Sequence, residues 1–250
     1  MTPRHAVVTG AAGGIGQAIV QAFNEAGYAV IATDVVPQPA GLACALYLQV
    51  DLARTVQDEA YAADVFARIH ARTGPDGLAA LINNAAVQIL GGVDSLTRAD
   101  WQQTLQVNLQ APFIWTQALL PALEAAKGSV VNISSIHARL TKKNFVAYAT
   151  SKAALSGMTR AMAVDLGGRV RVNAIEPAAI ETEMLRAGFE GQPERYAQLV
   201  ACHPVGRIGT PGEAASCALW LASRHSSFLT GSCMPLDGAI GSRLYDPIGI

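Results

Sequence analysis

Four cysteines, at positions 44, 202, 217 and 233, are too few and too scattered to frame a 250-residue chain with disulfides, and none has the close spacing of a zinc-ligand pair. Cys44, Cys202, Cys217 and Cys233 are therefore expected to be small buried hydrophobes. Charge is scarce as well: Lys and Arg number 18 against 19 Asp and Glu, a net charge of -1, with no cluster of one sign. A nucleic-acid backbone would meet no basic field here, which excludes it as a natural partner. His5, His70, His137, His203 and His225 form no H-x-x-x-H or H-E-x-x-H pair, so the sequence calls for no metal. No apolar run reaches membrane-spanning length, and Met1 leads into the short run His5 to Val8 without the features of a cleavable leader. The expectation is a cytoplasmic chain with no membrane partner.

What the chain does have is apolar bulk. With 51% hydrophobic and 15% charged residues, much of it must be buried, between subunits as well as within one. Its length suits one α/β domain spanning 1–250. Short β-type runs at His5–Thr9, Ala29–Thr33, Leu46–Val50, Ala80–Ile82, Ser129–Ile133 and Arg169–Ala174 alternate with helical patterns, which predicts a parallel sheet with helices on both faces. The stretch 177–204 breaks that rhythm where a strand end should open onto a ligand crevice, and is expected to be a lid.

Thr9-Gly10-Ala11-Ala12-Gly13-Gly14-Ile15-Gly16 follows the first strand and opens a helix. Glycines there allow a tight turn and close backbone approach, and the helix N-terminus attracts a pyrophosphate. Asp34 closes the second strand, where a carboxylate accepts hydrogen bonds from a ribose diol and repels a 2′-phosphate. No Lys or Arg stands in the turn or just after Asp34 to offset that repulsion, so the cofactor is expected to be NAD.

These residues resemble the short-chain dehydrogenase/reductase family, whose glycine turn has the form T-G-x-x-x-G-x-G, and the likeness runs on to Asp237-Gly238. It implies a doubly wound, Rossmann-type single domain. It also implies that Gly10, Gly14, Ile15 and Gly16 hold the dinucleotide, with Asp51 and Leu52 near the adenine. Asn84 and Ala85, in the run Asn83-Asn84-Ala85-Ala86, would contact the cofactor, and Pro177, Ile180 and Thr182 would cradle the nicotinamide. The family usually has Gly where Ala86 and Ala178 stand, two departures at the floor of the substrate site.

Tyr148 and Lys152 are one helical turn apart in a run from Tyr148 to Leu166 that reads as helix, so both project from one face. Hydride transfer to a carbonyl leaves an oxygen that needs a proton, and the reverse needs a base; a tyrosine serves both if a nearby ammonium and a cationic nicotinamide lower its pKa. By the same resemblance, Ser135, thirteen residues before Tyr148, binds the reacting oxygen. Adjacent Ser134 is left to strand-end hydrogen bonding. Asn108 is the fourth catalytic position, which positions a water linking Lys152 to solvent, and Tyr148 and Lys152 also touch the cofactor. Gln88, His137, Arg139 and Glu181 are candidates for the substrate pocket.

The Tyr148 to Leu166 helix is apolar nearly all round, with Lys152, Arg160 and Asp165 as its only charges. Such a helix is expected to be covered on both faces, one by the sheet and one by another subunit; the family resemblance implies a homotetramer or a dimer. The apolar ending 245–250 is expected to pack on a neighbour. The leading expectation is an NAD-dependent dehydrogenase or reductase of a secondary alcohol or ketone. The alternatives are a 3-oxoacyl-carrier-protein reductase and, from another class, a dinucleotide-binding sensor without turnover. Tyr148→Phe is expected to abolish turnover while leaving NADH binding nearly intact; a variant that still turns over would remove Tyr148 from the chemistry.

Overall fold

A computed structural model describes residues 4–244, without the side chain of Met184. The elements in chain order are β1 (Arg4–Thr9), α1 (Gly14–Glu25), β2 (Tyr28–Asp34), β3 (Leu46–Gln49), α2 (Leu52–Gln57), α3 (Glu59–Thr73), β4 (Ala80–Asn83), α4 (Arg98–Leu105), α5 (Ala111–Ala125), β5 (Ser129–Ile133), α6 (Val146–Leu166), β6 (Arg171–Pro177), α7 (Glu183–Ala187), α8 (Pro193–Ala201), α9 (Pro211–Ala222) and β7 (Cys233–Leu236). The expected ending 245–250 lies outside the described residues.

Alternation along each strand decides which residue faces which layer. Val7, Ile31, Leu81, Val130 and Val172 point to one face, where Phe66 of α3, Trp115 and Leu119 of α5 and Ala163 and Leu166 of α6 cover them. Their neighbours Ala6, Val8, Val30, Ala32, Ile82, Val131 and Ile175 point to the other, covered by Ile19, Val20 and Phe23 of α1 and Ala215, Ala218 and Leu221 of α9. Both faces are dry, as a fully parallel sheet requires.

The sheet order is β3-β2-β1-β4-β5-β6-β7, parallel throughout. The chain builds outward from β1 in one direction and from β4 in the other, so the β1/β4 border is the switch point where a crevice opens at the C-terminal ends. β7 is the strand that propensity hides, since Cys-Met-Pro-Leu is short and contains Pro235. At the sheet edge a proline is tolerated because its missing N–H faces outward. β6 runs on to Pro177, beyond the expected end at Ala174.

One expectation on burial changes. Cys44, Cys217 and Cys233 are only half-buried and Cys202 is exposed, all with free thiols, because they sit on the loop before β3, on outer helix turns and at the sheet edge rather than between layers. The outer face of α6, the one expected to meet another subunit, is open in the single chain: Ala153, Arg160 and Ala161 are exposed there, and Val164 is 84% exposed.

Gly16 lets the start of α1 lie on the preceding turn, since a Cβ at that position would stand 2.0 Å from the Gly10 carbonyl oxygen and 2.8 Å from Ala11 Cα. Both obstacles are backbone and cannot swing aside. Gly16→Ala is expected to cost about 1–3 kcal/mol of stability, the usual range for overpacking, read as a lower urea midpoint; an unchanged midpoint would mean that the turn does not pack this way.

Candidate functional site

The crevice is stapled shut at its base. Thr9 Oγ1 accepts from the backbone N–H of Asn84 and Ala85 at 3.0 and 3.1 Å, and the Asn84 amide donates to the carbonyls of Thr9 and Gly10 at 2.9 Å each. Gly10 has a φ of +63°, and a Cβ on it would strike Ala85 Cα at 2.7 Å, so only glycine fits where the two loops meet. The helix that follows is left open for an anion: its N-cap, Gly13, has no side chain to offer and no acid stands in the first turn.

The remaining expected cofactor residues surround that opening. Thr182 Cγ2 would be 3.1 Å from a Cβ on Gly14, which puts the start of the 177–204 segment directly over the helix N-terminus. Ile15 is half-buried beside it. Asp34 is held at the end of β2, with Oδ2 accepting from Ala12 N–H at 2.9 Å and Oδ1 from Val36 N–H at 3.3 Å. The next residues, Val35 and Val36, are exposed and apolar. Asp51 caps α2, accepting from Ala53 and Arg54 N–H, with Leu52 buried beneath it. A turn with no room for a side chain at Gly10 or Gly16, an uncapped helix start and a fixed carboxylate across the gap fit a dinucleotide, with the pyrophosphate at α1 and the adenosine ribose at Asp34.

Lys152 is the most unusual side chain in the fold. The residue is 2% exposed, and its amine donates to the Ile133 carbonyl at 2.7 Å and is pushed down to about 7 by burial. Its Nζ lies 5.7 Å from the centre of the Tyr148 ring. The Tyr148 phenol is moved the opposite way: burial raises its pKa, and the hydrogen bond with Ser135 offsets only part of that. Without a cationic nicotinamide beside it, desolvation is the larger effect on the phenol.

Asn108 lies in a π-helical turn, Gln106–Gln110, between α4 and α5. Its amide is fully engaged: Oδ1 accepts from Val87 N–H, and Nδ2 donates to the Val87 carbonyl and to Ser151 Oγ, whose own hydroxyl donates to the Tyr148 carbonyl. Ser134 takes the framework role expected of it, donating to the Lys152 carbonyl at 3.0 Å. The structure therefore gathers Ser135, Tyr148 and Lys152 into one cluster, with Asn108 tied to it through Ser151.

Of the substrate candidates, His137 stands at this cluster. Its ring stacks on Phe145 with centroids 4.4 Å apart and meets Tyr148 edge-on at 5.7 Å, while Nδ1 bonds Thr141 Oγ1. Burial, then the nearby Lys142 charge, holds its pKa below the ordinary histidine value, which keeps the imidazole neutral at pH 7. Gln88 is exposed on the loop after β4. Arg139 and Glu181 are engaged in ion pairs: Arg139 Nε donates to Glu176 at 2.7 Å, and Glu181 pairs with Arg186 at 2.6 Å.

A family model described as enoyl-(acyl carrier protein) reductase matches residues 10–240. The chain belongs to the short-chain dehydrogenase/reductase family. Protein FixR of Bradyrhizobium diazoefficiens is 36% identical, over 94% of this chain and 86% of that protein. The NAD-dependent glycerol dehydrogenase of Listeria innocua serovar 6a is 32% identical, over 95% of this chain and 94% of its own length. Among solved structures, ligand-free aldohexose dehydrogenase of Thermoplasma acidophilum superposes with a TM-score of 0.89 at 32% identity, covering 99% of this chain and 97% of that one. This short-chain dehydrogenase/reductase has an oxidoreductase fold in which no described helix is long and apolar enough to cross a membrane.

Sequence reasoning passed over three residues of this family member's site. Phe145 precedes Tyr148 by nearly one turn, and an aromatic at that spacing was a usable signal. Ser151 and Glu176 gave none, since a helix serine and a strand-end acid usually face solvent. Lys152 yields a test by linkage: with its folded pKa near 7 and its ordinary value 10.5, the unfolded chain binds the extra proton between those values, so this group's contribution to stability rises with pH across that window. Relative to Lys152→Met, the wild type without cofactor is expected to gain about 2 kcal/mol between about pH 7.5 and 9.5 in urea melts; a constant difference would place the amine in contact with solvent.

Proposed function

We propose that this chain is an NAD-dependent dehydrogenase or reductase that interconverts a secondary alcohol and a ketone. The observation that carries this is the cluster itself: a phenol beside Ser135 and a buried amine, next to a glycine turn that opens helix α1. Gly10, Gly14, Ile15 and Gly16 would hold the pyrophosphate, Asp34 the adenosine ribose, Asp51 and Leu52 the adenine. Asn84, Ala85, Pro177, Ile180 and Thr182 would enclose the nicotinamide end.

When bound, an oxidised nicotinamide supplies the hydride acceptor and a positive charge beside the phenol. Ser135 donates a hydrogen bond to the reacting oxygen and fixes its place. Tyr148 takes the hydroxyl proton during oxidation and returns one to the carbonyl oxygen during reduction. Lys152, with an amine that titrates near neutrality, accepts and relays that proton. Asn108 holds the loop after β4 against α6, and we assign it the positioning of a water on the path from Lys152 to solvent. His137, clamped by Phe145 and Thr141, offers Nε2 to a second polar group of the substrate. Gln88 lines the same mouth.

Segment 177–204 is assigned as the lid. Its base is fixed by the Ile180–Gly209 bridge, and α7 and α8 enclose an open recess of about 370 Å³ lined by Phe189, Tyr196 and the Glu181–Arg186 pair. The exposed face of α6 and the 46% exposed Phe113 of α5 support a homotetramer or dimer, and sedimentation as a monomer at micromolar concentration would argue against it. Asp34 and the absence of a neighbouring cation favour NAD and count against a carrier-protein reductase.

The test is absorbance at the reduced-nicotinamide band while secondary alcohols, polyols, hydroxysteroids and hydroxy acids are offered with NAD or NADP. Oxidation with NAD is expected, rising with pH through the mildly alkaline range because the phenol is held above its ordinary value. Asp34→Ala is expected to weaken NAD and relax discrimination against NADP. A preference for NADPH and 3-oxoacyl-carrier-protein substrates would overturn the assignment, and cofactor binding with no turnover across the panel would favour the sensor.

A further inference from the structure

Glu176 is the penultimate residue of β6, between Ile175 and Pro177, and its side chain is 2% exposed. A buried carboxylate is unfavourable unless paired, and an apolar residue of similar volume is often at least as stabilising. Its contacts supply another reason for it. Oε1 accepts from Ser156 Oγ at 2.9 Å and Oε2 from Arg139 Nε at 2.7 Å. Ser156 lies one turn after Lys152 on α6, and its Oγ is 2.9 Å from Ser134 Oγ. Arg139 ends the short helical turn Ile136–Ala138 that begins at Ser135 and carries His137. Its other arm lies 3.8 Å from Asp237 Oδ2, just past β7.

One carboxylate therefore joins three parts that the reaction needs in register. They are the turn bearing Ser135 and His137, the helix bearing Tyr148 and Lys152, and the strand end that feeds Pro177 to Thr182. Backbone bonds hold β5 to β6 only as far as Ser134 N–H, which donates to the Ile175 carbonyl at 2.8 Å. Beyond that point the two chains part, and the Arg139–Glu176 pair is the next link across the gap.

We propose that Glu176 and Arg139 are a positioning pair that sets the spacing between the Ser135–His137 turn and the Pro177–Thr182 segment, and so governs the chemical step rather than cofactor affinity. Neither residue touches the glycine turn, Asp34 or Asp51. This rests on the catalytic roles given above for Ser135 and Tyr148. Arg139 then serves the site from behind and not as a substrate contact. A misplacement of an ångström at a reacting group is enough to cost about a hundredfold in rate.

The experiment compares Glu176→Gln, Arg139→Met, the double variant and Arg139→Lys by steady-state kinetics and by titration of NADH fluorescence, with circular dichroism as the check on folding. Each single variant is expected to lose about ten- to a hundredfold in kcat, with NADH Kd within about twofold and substrate KM within about threefold. The double variant should be no worse than the poorer single, because the two act as a unit. Arg139→Lys should recover part of the loss by keeping the charge. Arg169→Gln breaks another 2.7 Å ion pair, with Glu124, far from the cluster, and should change nothing.

Unchanged kcat in a folded Arg139→Met or Glu176→Gln overturns the proposal, and so does a fall in kcat matched by an equal loss of NADH affinity. If Glu176→Gln fails to fold, Arg139→Met decides alone, since that side chain is 44% exposed. Tyr148→Phe run beside them separates the two levels. Retained turnover there removes the catalytic assignment itself, whereas a dead Tyr148→Phe with a normal Arg139→Met removes only the positioning pair.

Discussion

Among the described residues, seven strands running one way put every strand's C-terminal end on the same rim, and the rest of the molecule follows from that constraint. A parallel sheet needs a crossover after each strand and helices on both faces, so the loops at one rim are free of that covering task. The glycine turn, Asp34, Asn84, Ser135 and Pro177 come from five different strand ends and meet without any of them being close in sequence. The Asn84 amide closes the point where the chain reverses direction, using two donors on two carbonyls of β1's end. A side chain bonded to backbone across the join sets the width of the crevice.

The cluster beside the crevice shows how burial and function oppose each other. An amine with almost no exposure and one carbonyl partner is driven toward neutrality, and a phenol in the same apolar wall is driven toward staying protonated. Both groups have a pKa displaced from its ordinary value, as expected of groups that exchange a proton during a reaction rather than hold the fold together. The aromatic pair His137–Phe145 forms part of that wall: two rings stacked within 2° of parallel shield the edge of Tyr148 while leaving its hydroxyl toward Ser135.

Much of this was legible beforehand where chemistry leaves a spacing. The glycine turn, Asp34, and the Tyr148 and Lys152 pair stand where the sequence implied, because turn geometry and helix periodicity are local rules. The parallel sheet was legible from alternation alone. Less legible was whatever depends on the third dimension. β7 hides behind a proline that only an edge can accept. The cysteines looked buried because composition cannot tell an inner helix turn from an outer one. Arg139 was expected at the substrate, and its partner Glu176 passed unnoticed, because an ion pair between residues 37 apart leaves no local signature.

The Ile180–Gly209 bridge brings the two ends of a long excursion within one strand spacing of each other, with hydrogen bonds from Glu181 N–H to Gly209 and from Gly209 N–H to Ala179. Closing a loop at fixed ends costs only about 0.6 kcal/mol more for each doubling of its length. Whatever lies between those ends can therefore be lengthened, trimmed or exchanged with little strain passed to the sheet. A chain built this way can change what it encloses one insertion at a time while keeping the same proton-handling groups beneath, so variety among such molecules should gather in that one stretch.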